Sequence, residues 1–181
     1  MRLTDSPPPE QLRPSITPHP ERRGAYLLTT ALWLPHPREV VFDFFADAGN
    51  LEALTPPWLH FQIRTPQPIA MRAGTLIDYR LRLHGLPLQW RTEISVWDPP
   101  YQFVDQQLRG PYQLWRHLHT FESRDGGTYC ADRVEYAFWG GALVHNLLVR
   151  RDLDQIFTYR QLRLWERFGD RTAAPTATGH Y

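Results

Sequence analysis

The chain has 181 residues, room for one domain with a sizeable core and short for two. Its 20 basic residues against 19 acidic ones leave a formal charge of +1, and the arginines are scattered rather than clustered, which argues against a nucleic-acid partner. A single cysteine, Cys130, excludes an internal disulfide and fits a reducing cytoplasm, and with no secretory leader or integral membrane segment legible the chain reads as soluble and cytoplasmic.

Residues 1–22 hold six prolines and few large apolar side chains, so they read as a flexible tail, and residues 170–181 read the same way. Residues 23–169 form one continuous unit that opens with the strand "AYLLTTALWL". In "PHPREVVFDFFADAGN", Pro37 suits a helix start, Val40/Val41 and Phe44/Phe45 fall at helical spacing, and Gly49 suits the stop. A second short helix, "NLEALT", takes Asn50 as N-cap and ends at Pro56 and Pro57. Trp58, just after it, is either an exposed residue at a cavity entrance or a packing residue beneath the helices. Alternating segments then predict strands near 60–65, 75–83, 86–97, 101–108, 112–123 and 128–138. From about 143 to 168, Leu147, Leu148, Leu153, Ile156, Phe157, Leu164, Trp165 and Phe168 recur at helical intervals and predict a long amphipathic helix. Consecutive strands joined by short turns imply an antiparallel sheet, one face of which the long helix covers.

Turn chemistry fixes the register of two hairpins. With His84–Gly85 as a two-residue turn, Asp78 falls opposite Arg91 on one face, while Tyr79 meets Trp90 and Ile77 meets Thr92 on the other. A four-residue loop Arg124–Gly127 pairs Ser123 with Thr128 and sets Arg116 against Glu135 on the solvent face. The inner face then carries Trp115 against Tyr136, His117 against Val134, His119 against Asp132 and Phe121 against Cys130. Two histidines therefore point inward among aromatics, and an inward His119 beside an inward Asp132 satisfies both groups. The pairing of 86–97 with 101–108 stays open, because "DPP" permits more than one register.

This element order, together with "PHPREVVFDFFADAGNLEALTPPW", "YQFVDQQLRGPYQLWRHLHTF" and "YAFWGG" ahead of the long helix, resembles the START-like (SRPBCC) superfamily over about residues 23–169. That superfamily includes coenzyme-Q-binding proteins, lipid-transfer domains and polyketide cyclase/dehydrase-like members. The resemblance implies an α+β helix-grip fold: a curved antiparallel seven-stranded sheet around a long C-terminal helix, two short helices after the first strand, and a hydrophobic cavity between sheet and helix. By the register above, Tyr79, Leu81, Trp90, Thr92, Ile94 and Trp115 would line the cavity. His117, His119, Phe121, Asp132, Val134 and Tyr136 would continue the lining, and Ile156, Phe157 and Tyr159 would approach from the helix.

Such a cavity points to carriage or sensing of a small hydrophobic molecule such as a lipid, an isoprenoid or quinone, or a polyketide, with His117, His119, Asp132 and Tyr136 orienting a polar head. The bland alternative is that the aromatics fill the space and leave a solid core. A second function is a cyclase/dehydrase-like enzyme in which Asp132 orients His119 as general base and Tyr136 polarises a carbonyl. His-x-His with Asp132, and with His145 near the helix start, is also a metal-ligand pattern, but the spacing is weak and His145 is expected at the surface. No metal and no cofactor is assigned. No protein partner is identified; the proline-rich tail reads as a linker or a docking segment.

Overall fold

The computed structural model describes residues 12–169. Eight antiparallel strands form one sheet in the order β1-β2-β8-β7-β6-β5-β4-β3, and the C-terminal helix lies against its inner face. The strands are β1 (Ser15–Pro18), β2 (Ala25–Leu34), β3 (Gln62–Ile63), β4 (Leu76–Leu83), β5 (Leu86–Asp98), β6 (Gln102–Arg109), β7 (Tyr112–Arg124) and β8 (Gly127–Phe138). The helices are α1 (Arg38–Ala46), α2 (Gly141–Val144) and α3 (Arg150–Phe168), with two short 3-10 turns, Ala48–Leu51 and Pro57–Leu59, between α1 and β3. The fold is thus the α+β helix-grip arrangement, with one strand more than the seven expected.

The additional strand lies inside the segment that reads as a tail. Ser15–Pro18 pair with Tyr26–Thr29, Ile16 is buried, and Leu12 joins the core. Proline content masks this strand, but at a sheet edge a proline removes no required hydrogen bond. Residues 1–11 and 170–181 lie outside the described residues.

Both hairpins have the expected register. Leu83 pairs with Leu86 across His84–Gly85, and Asp78, Tyr79 and Ile77 meet Arg91, Trp90 and Thr92. The β7–β8 connection is tighter than a four-residue loop: Arg124 pairs with Gly127 across Asp125–Gly126, with every other pairing as expected. His84, Gly85, Asp125 and Gly126 all have positive φ, the conformation that matches a two-residue turn to strand twist. Gly127 is required for another reason, since a Cβ there would come within 2.4 Å of the Leu34 carbonyl oxygen.

Three local expectations change. The helix α1 stops at Ala46, and the Asp47 side chain, rather than Asn50, caps the following 3-10 turn by accepting from the Gly49 N–H; Asn50 instead donates to the Phe44 carbonyl. The strand predicted near 60–65 is only Gln62–Ile63. The long helix is interrupted at its start by a π turn, His145–Val149. That wider turn shifts the phase of the helix, so His145 and Val149 are buried while Leu147 and Leu148 are exposed.

Two apolar clusters flank the centre of the domain. Toward the C-terminal end of α3, Phe42, Phe44 and Phe45 of α1 pack with Phe103, Phe121, Leu164 and Phe168. Toward its N-terminal end, Leu28, Val134, Tyr136, Val149, Leu153 and Phe157 pack together. On α3 the inward positions Leu153, Phe157, Arg160, Gln161, Leu164 and Phe168 follow helical spacing, and two of them are polar. Cys130 is a buried free thiol whose ionisation is pushed up by burial, which makes it a packing residue rather than a nucleophile.

Candidate functional site

Between sheet and helix lies a cavity of about 210 Å³ with mostly apolar walls. β4 and β5 supply Ile77, Tyr79, Leu81, Leu88, Trp90, Thr92 and Ile94, α3 supplies Leu153, Ile156 and Phe157, and the segment between α1 and β3 supplies Leu54, Leu59 and Phe61. The inner-face aromatics stack along one wall, Tyr79 on Trp90 at 5.8 Å and Trp115 edge-on to Trp90 at 5.4 Å between ring centroids. Space remains between them, so they do not fill the interior. The indole Nε1 of Trp90 is buried and has no hydrogen-bond partner.

Apart from Thr92 and from Asp47, Asn50 and Thr55 in the segment after α1, the polar side chains of the lining are Asp105 from β6, His117 and His119 from β7 and Arg160 from α3. Alternation along β7 puts both imidazoles on the inner face, where their rings lie 3.7 Å apart between centroids. Asp132 pairs with His119 across β8, and Asp105 pairs with His117 across β6, so a carboxylate stands on each side of the pair. His117 Nε2 and His119 Nδ1 each lie 2.9 Å from Asp132 Oδ1. On the other side, His119 Nε2 is 2.8 Å from Asp105 Oδ2 and His117 Nδ1 is 3.5 Å from the same oxygen. Behind them, Thr30 Oγ1 donates to Asp132 Oδ2 at 3.0 Å and accepts from Gln161 Nε2 at 2.9 Å, and Arg160 Nε lies 3.6 Å from Asp132 Oδ2. Phe103 stacks on His119 at 4.1 Å between centroids.

Burial opposes ionisation of Asp132, but the Arg160 charge and the contacts with His117 and His119 outweigh it and hold the carboxyl well below its usual range. Asp105 is likewise lowered, burial being overcome by His117, His119 and Arg160. The two histidines diverge. Burial depresses His119, yet hydrogen bonds to both carboxylates raise it above the ordinary value. His117 is lowered by burial and by the neighbouring His119 charge, which together exceed the pull of the two carboxylates. His119 Nε2 is hydrogen-bonded to Asp105, while Arg160 Nη2 stands 3.5 Å from its Nδ1. A His117 that donates Nε2–H to Asp132 turns its Nδ1 lone pair toward Asp105, in keeping with the longer contact there. Arg160, together with His119 when it is protonated, balances the two carboxylates.

Of the residues expected to line the cavity, Tyr79, Leu81, Trp90, Thr92, Ile94, Trp115, His117, His119, Ile156 and Phe157 do so. Phe121 is instead in the packed core against Phe42 and Phe45, Val134 lies beneath α3, and Asp132 sits behind the histidines. Tyr159 packs against the half-exposed Trp58 at 5.7 Å. Tyr136 is fully buried and its hydroxyl is engaged by His145 at 2.8 Å, so it presents no free donor to a ligand. His145, expected at the surface, is buried, with its ring stacked on Tyr26 at 3.4 Å and Nδ1 3.1 Å from Asn146 Oδ1. Asp105, Arg160, Thr30 and Gln161 were not among the expected site residues. The signals available were the apolar alternation of "YQFVDQQL", in which Asp105 shares a face with Phe103, and the helical spacing of Arg160 from Leu153 and Phe157.

A family model described as polyketide cyclase/dehydrase and lipid transport matches residues 34–158. No curated protein matches the sequence. Among solved structures, protein Ms6760 from Mycobacterium smegmatis is similar at 16% identity over 83% of this chain and 93% of that one, with a TM-score of 0.59. The ginseng major latex-like protein 151 from Panax ginseng is similar at 10% identity over 77% and 96%, with a TM-score of 0.57. TTHA0849 from Thermus thermophilus is similar at 16% identity over 77% and 97%, with a TM-score of 0.53. At these identities the likeness is one of fold.

Proposed function

Because the chain belongs to the polyketide cyclase/dehydrase and lipid transport family, within the START-like (SRPBCC) superfamily, we propose that it binds a small hydrophobic molecule between sheet and α3, for carriage or sensing. The observation that carries this reading is the cavity itself: apolar on most sides, with Asp105, His117, His119 and Arg160 gathered at one part of its wall. Apolar walls with a few convergent polar groups suit a ligand with a hydrophobic body and one polar function. The unpartnered Trp90 N–H matches an acceptor on such a ligand, for example a carbonyl.

Size narrows the class. An engineered cavity of about 150 Å³ holds benzene, so 210 Å³ accommodates a ring system or the end of a chain. An isoprenoid or quinone head, a polyketide ring, or the end of a lipid chain fits this description, and a whole two-chain lipid does not. No helix among the described residues is long and apolar enough to cross a membrane.

A cyclase/dehydrase reaction with His119 as base finds less support, since both ring nitrogens of His119 face carboxylates and neither presents a free lone pair to the cavity. The test is the intact mass of untagged full-length protein under native and denaturing conditions. The expected result is a mass that is lost on denaturation and identifies an organic ligand. The reading is overturned if no mass is lost and decanoate, farnesol and 1,4-naphthoquinone all leave the Trp90 indole resonance unmoved.

A further inference from the structure

We propose that Asp105, His117 and His119 form a three-ligand site for a divalent transition metal, zinc being the reference ion, with Asp132 as the carboxylate that orients both imidazoles. Asp105 Oδ2, His117 Nδ1 and His119 Nε2 face one another, all within 4.8 Å. Two of the three spacings involve Asp105 Oδ2, at 2.8 Å to His119 and 3.5 Å to His117. Donors about 2.0–2.1 Å from a tetrahedral zinc stand about 3.3 Å apart, so the set is near the required size. Small outward movement of the His119–Asp105 contact completes it.

The remaining ring nitrogens make the stronger case. His117 Nε2 and His119 Nδ1 both point to Asp132 Oδ1 at 2.9 Å. A metal-bound histidine nearly always donates its other N–H to a carboxylate, carbonyl or water, which fixes the tautomer and aims the free nitrogen at the ion. Asp132 does this for His117, and it stands within 2.9 Å of His119 Nδ1, where Arg160 Nη2 also approaches at 3.5 Å. Thr30 and Arg160 hold that carboxylate in turn, and Thr30 is itself held by Gln161. The ligand set is also not the one the sequence spacing suggests. Asp105, not Asp132, is the carboxylate on the cavity side, and His145 is committed to Tyr136 on another part of the molecule.

Charge accounts for how a cation fits beside Arg160. A divalent ion takes the place of the proton now held between His119 Nε2 and Asp105. Asp105, Asp132, Arg160 and the ion then sum to one positive charge, and the fourth position, open to the cavity, suits an anionic or carbonyl oxygen. Two imidazoles and one carboxylate with an open position are a donor set for zinc, or for iron when further positions are filled. The orientation of that open position toward a ligand rests on the cavity-binding reading; the metal site itself does not.

The experiment is a titration of untagged, metal-free, full-length protein with Co²⁺, read by visible absorption, with no organic ligand present. Expected is one equivalent bound with a four- or five-coordinate spectrum, displaced by Zn²⁺. Asp105→Asn and His117→Ala should abolish the spectrum, and Asp132→Asn should weaken binding about 10–100-fold. Zinc-soaked crystals of the unmodified protein give an answer that does not depend on a variant folding: an anomalous peak about 2.0–2.2 Å from the three named atoms supports the site. No Co²⁺ spectrum, a peak elsewhere, or a spectrum unchanged in folded Asp105→Asn protein overturns it. Because none of these readouts needs a hydrophobic ligand, failure of the metal site and failure of the cavity reading are separate results.

Discussion

Three of the buried histidines of this domain sit in two contrasting environments. His117 and His119 stand between Asp105 and Asp132 with Arg160 behind, a cluster of formal charges at the cavity wall. His145 lies at the start of the C-terminal helix between Tyr26 and Tyr136, with an asparagine amide as its other neighbour, and none of these partners is charged. Burial penalises an imidazolium in both places. Carboxylates offset that cost at His119, whose pKa is raised, whereas His145, without one, is lowered. The first environment has the groups to bind a ligand or an ion; the second holds a helix end against the sheet.

The contrast breaks most sharply by removing Asp132. Asp132→Ala takes the buried partner from Arg160 and leaves His119 with Asp105 alone, and is expected to lower unfolding stability by about 3–5 kcal/mol in urea denaturation. A loss below about 1 kcal/mol, the range of an exposed ion pair, would mean that water already screens the cluster. At the neutral site the corresponding change is smaller. Tyr136→Phe removes the hydroxyl that donates to His145 Nε2 and leaves one buried acceptor unmet, at a cost of about 1–3 kcal/mol in the same assay.

The two sites also respond to pH in opposite directions. In metal-free protein His119 is raised, so its stabilising contribution is full below the unfolded value near 6.5 and is lost as pH rises through the folded value. His145 is lowered, by burial first and then by Arg150, so the folded state resists its protonation, and stability is lost as pH falls below the unfolded value. Nitrogen-15 shifts of the imidazoles across pH 5–8 check this: His119 should be the later to deprotonate and His145 should show a neutral ring with its proton on Nδ1. The reverse order would contradict the assigned hydrogen bonds.

How much of this could be read beforehand follows from the turns. His84–Gly85 and the Asp125–Gly126 region pin two hairpins, and because strand side chains alternate, the inward direction of Tyr79, Trp90, His117, His119 and Asp132 follows from register alone. Asp105 was hidden because the β5–β6 pairing shifts twice, between Arg91 and Thr92 and between Ile94 and Val96, so no single register carries its position. His145 was misplaced because the π turn adds a residue to the helical count, and β1 because its prolines imitate a linker. Arg160 is a charged residue on a helix face that is apolar apart from it and Gln161, and its burial makes sense only once two carboxylates are known to lie opposite. Tyr136 points to the inner face as its strand position requires, but a strand pattern does not show that a helix residue has taken its hydroxyl.

The central claim, that the space between sheet and helix takes up a hydrophobic molecule, is tested most directly at Trp90. Its indole N–H is buried in the cavity wall without a partner, so its proton resonance reports occupancy. Titration with 1,4-naphthoquinone should shift that resonance saturably in the unmodified protein, and Leu81→Trp, which fills the space opposite Leu88, should suppress the shift while the fold is retained. A Trp90 signal that stays fixed with naphthoquinone, farnesol and decanoate, or one that shifts equally in the filled variant, would contradict it.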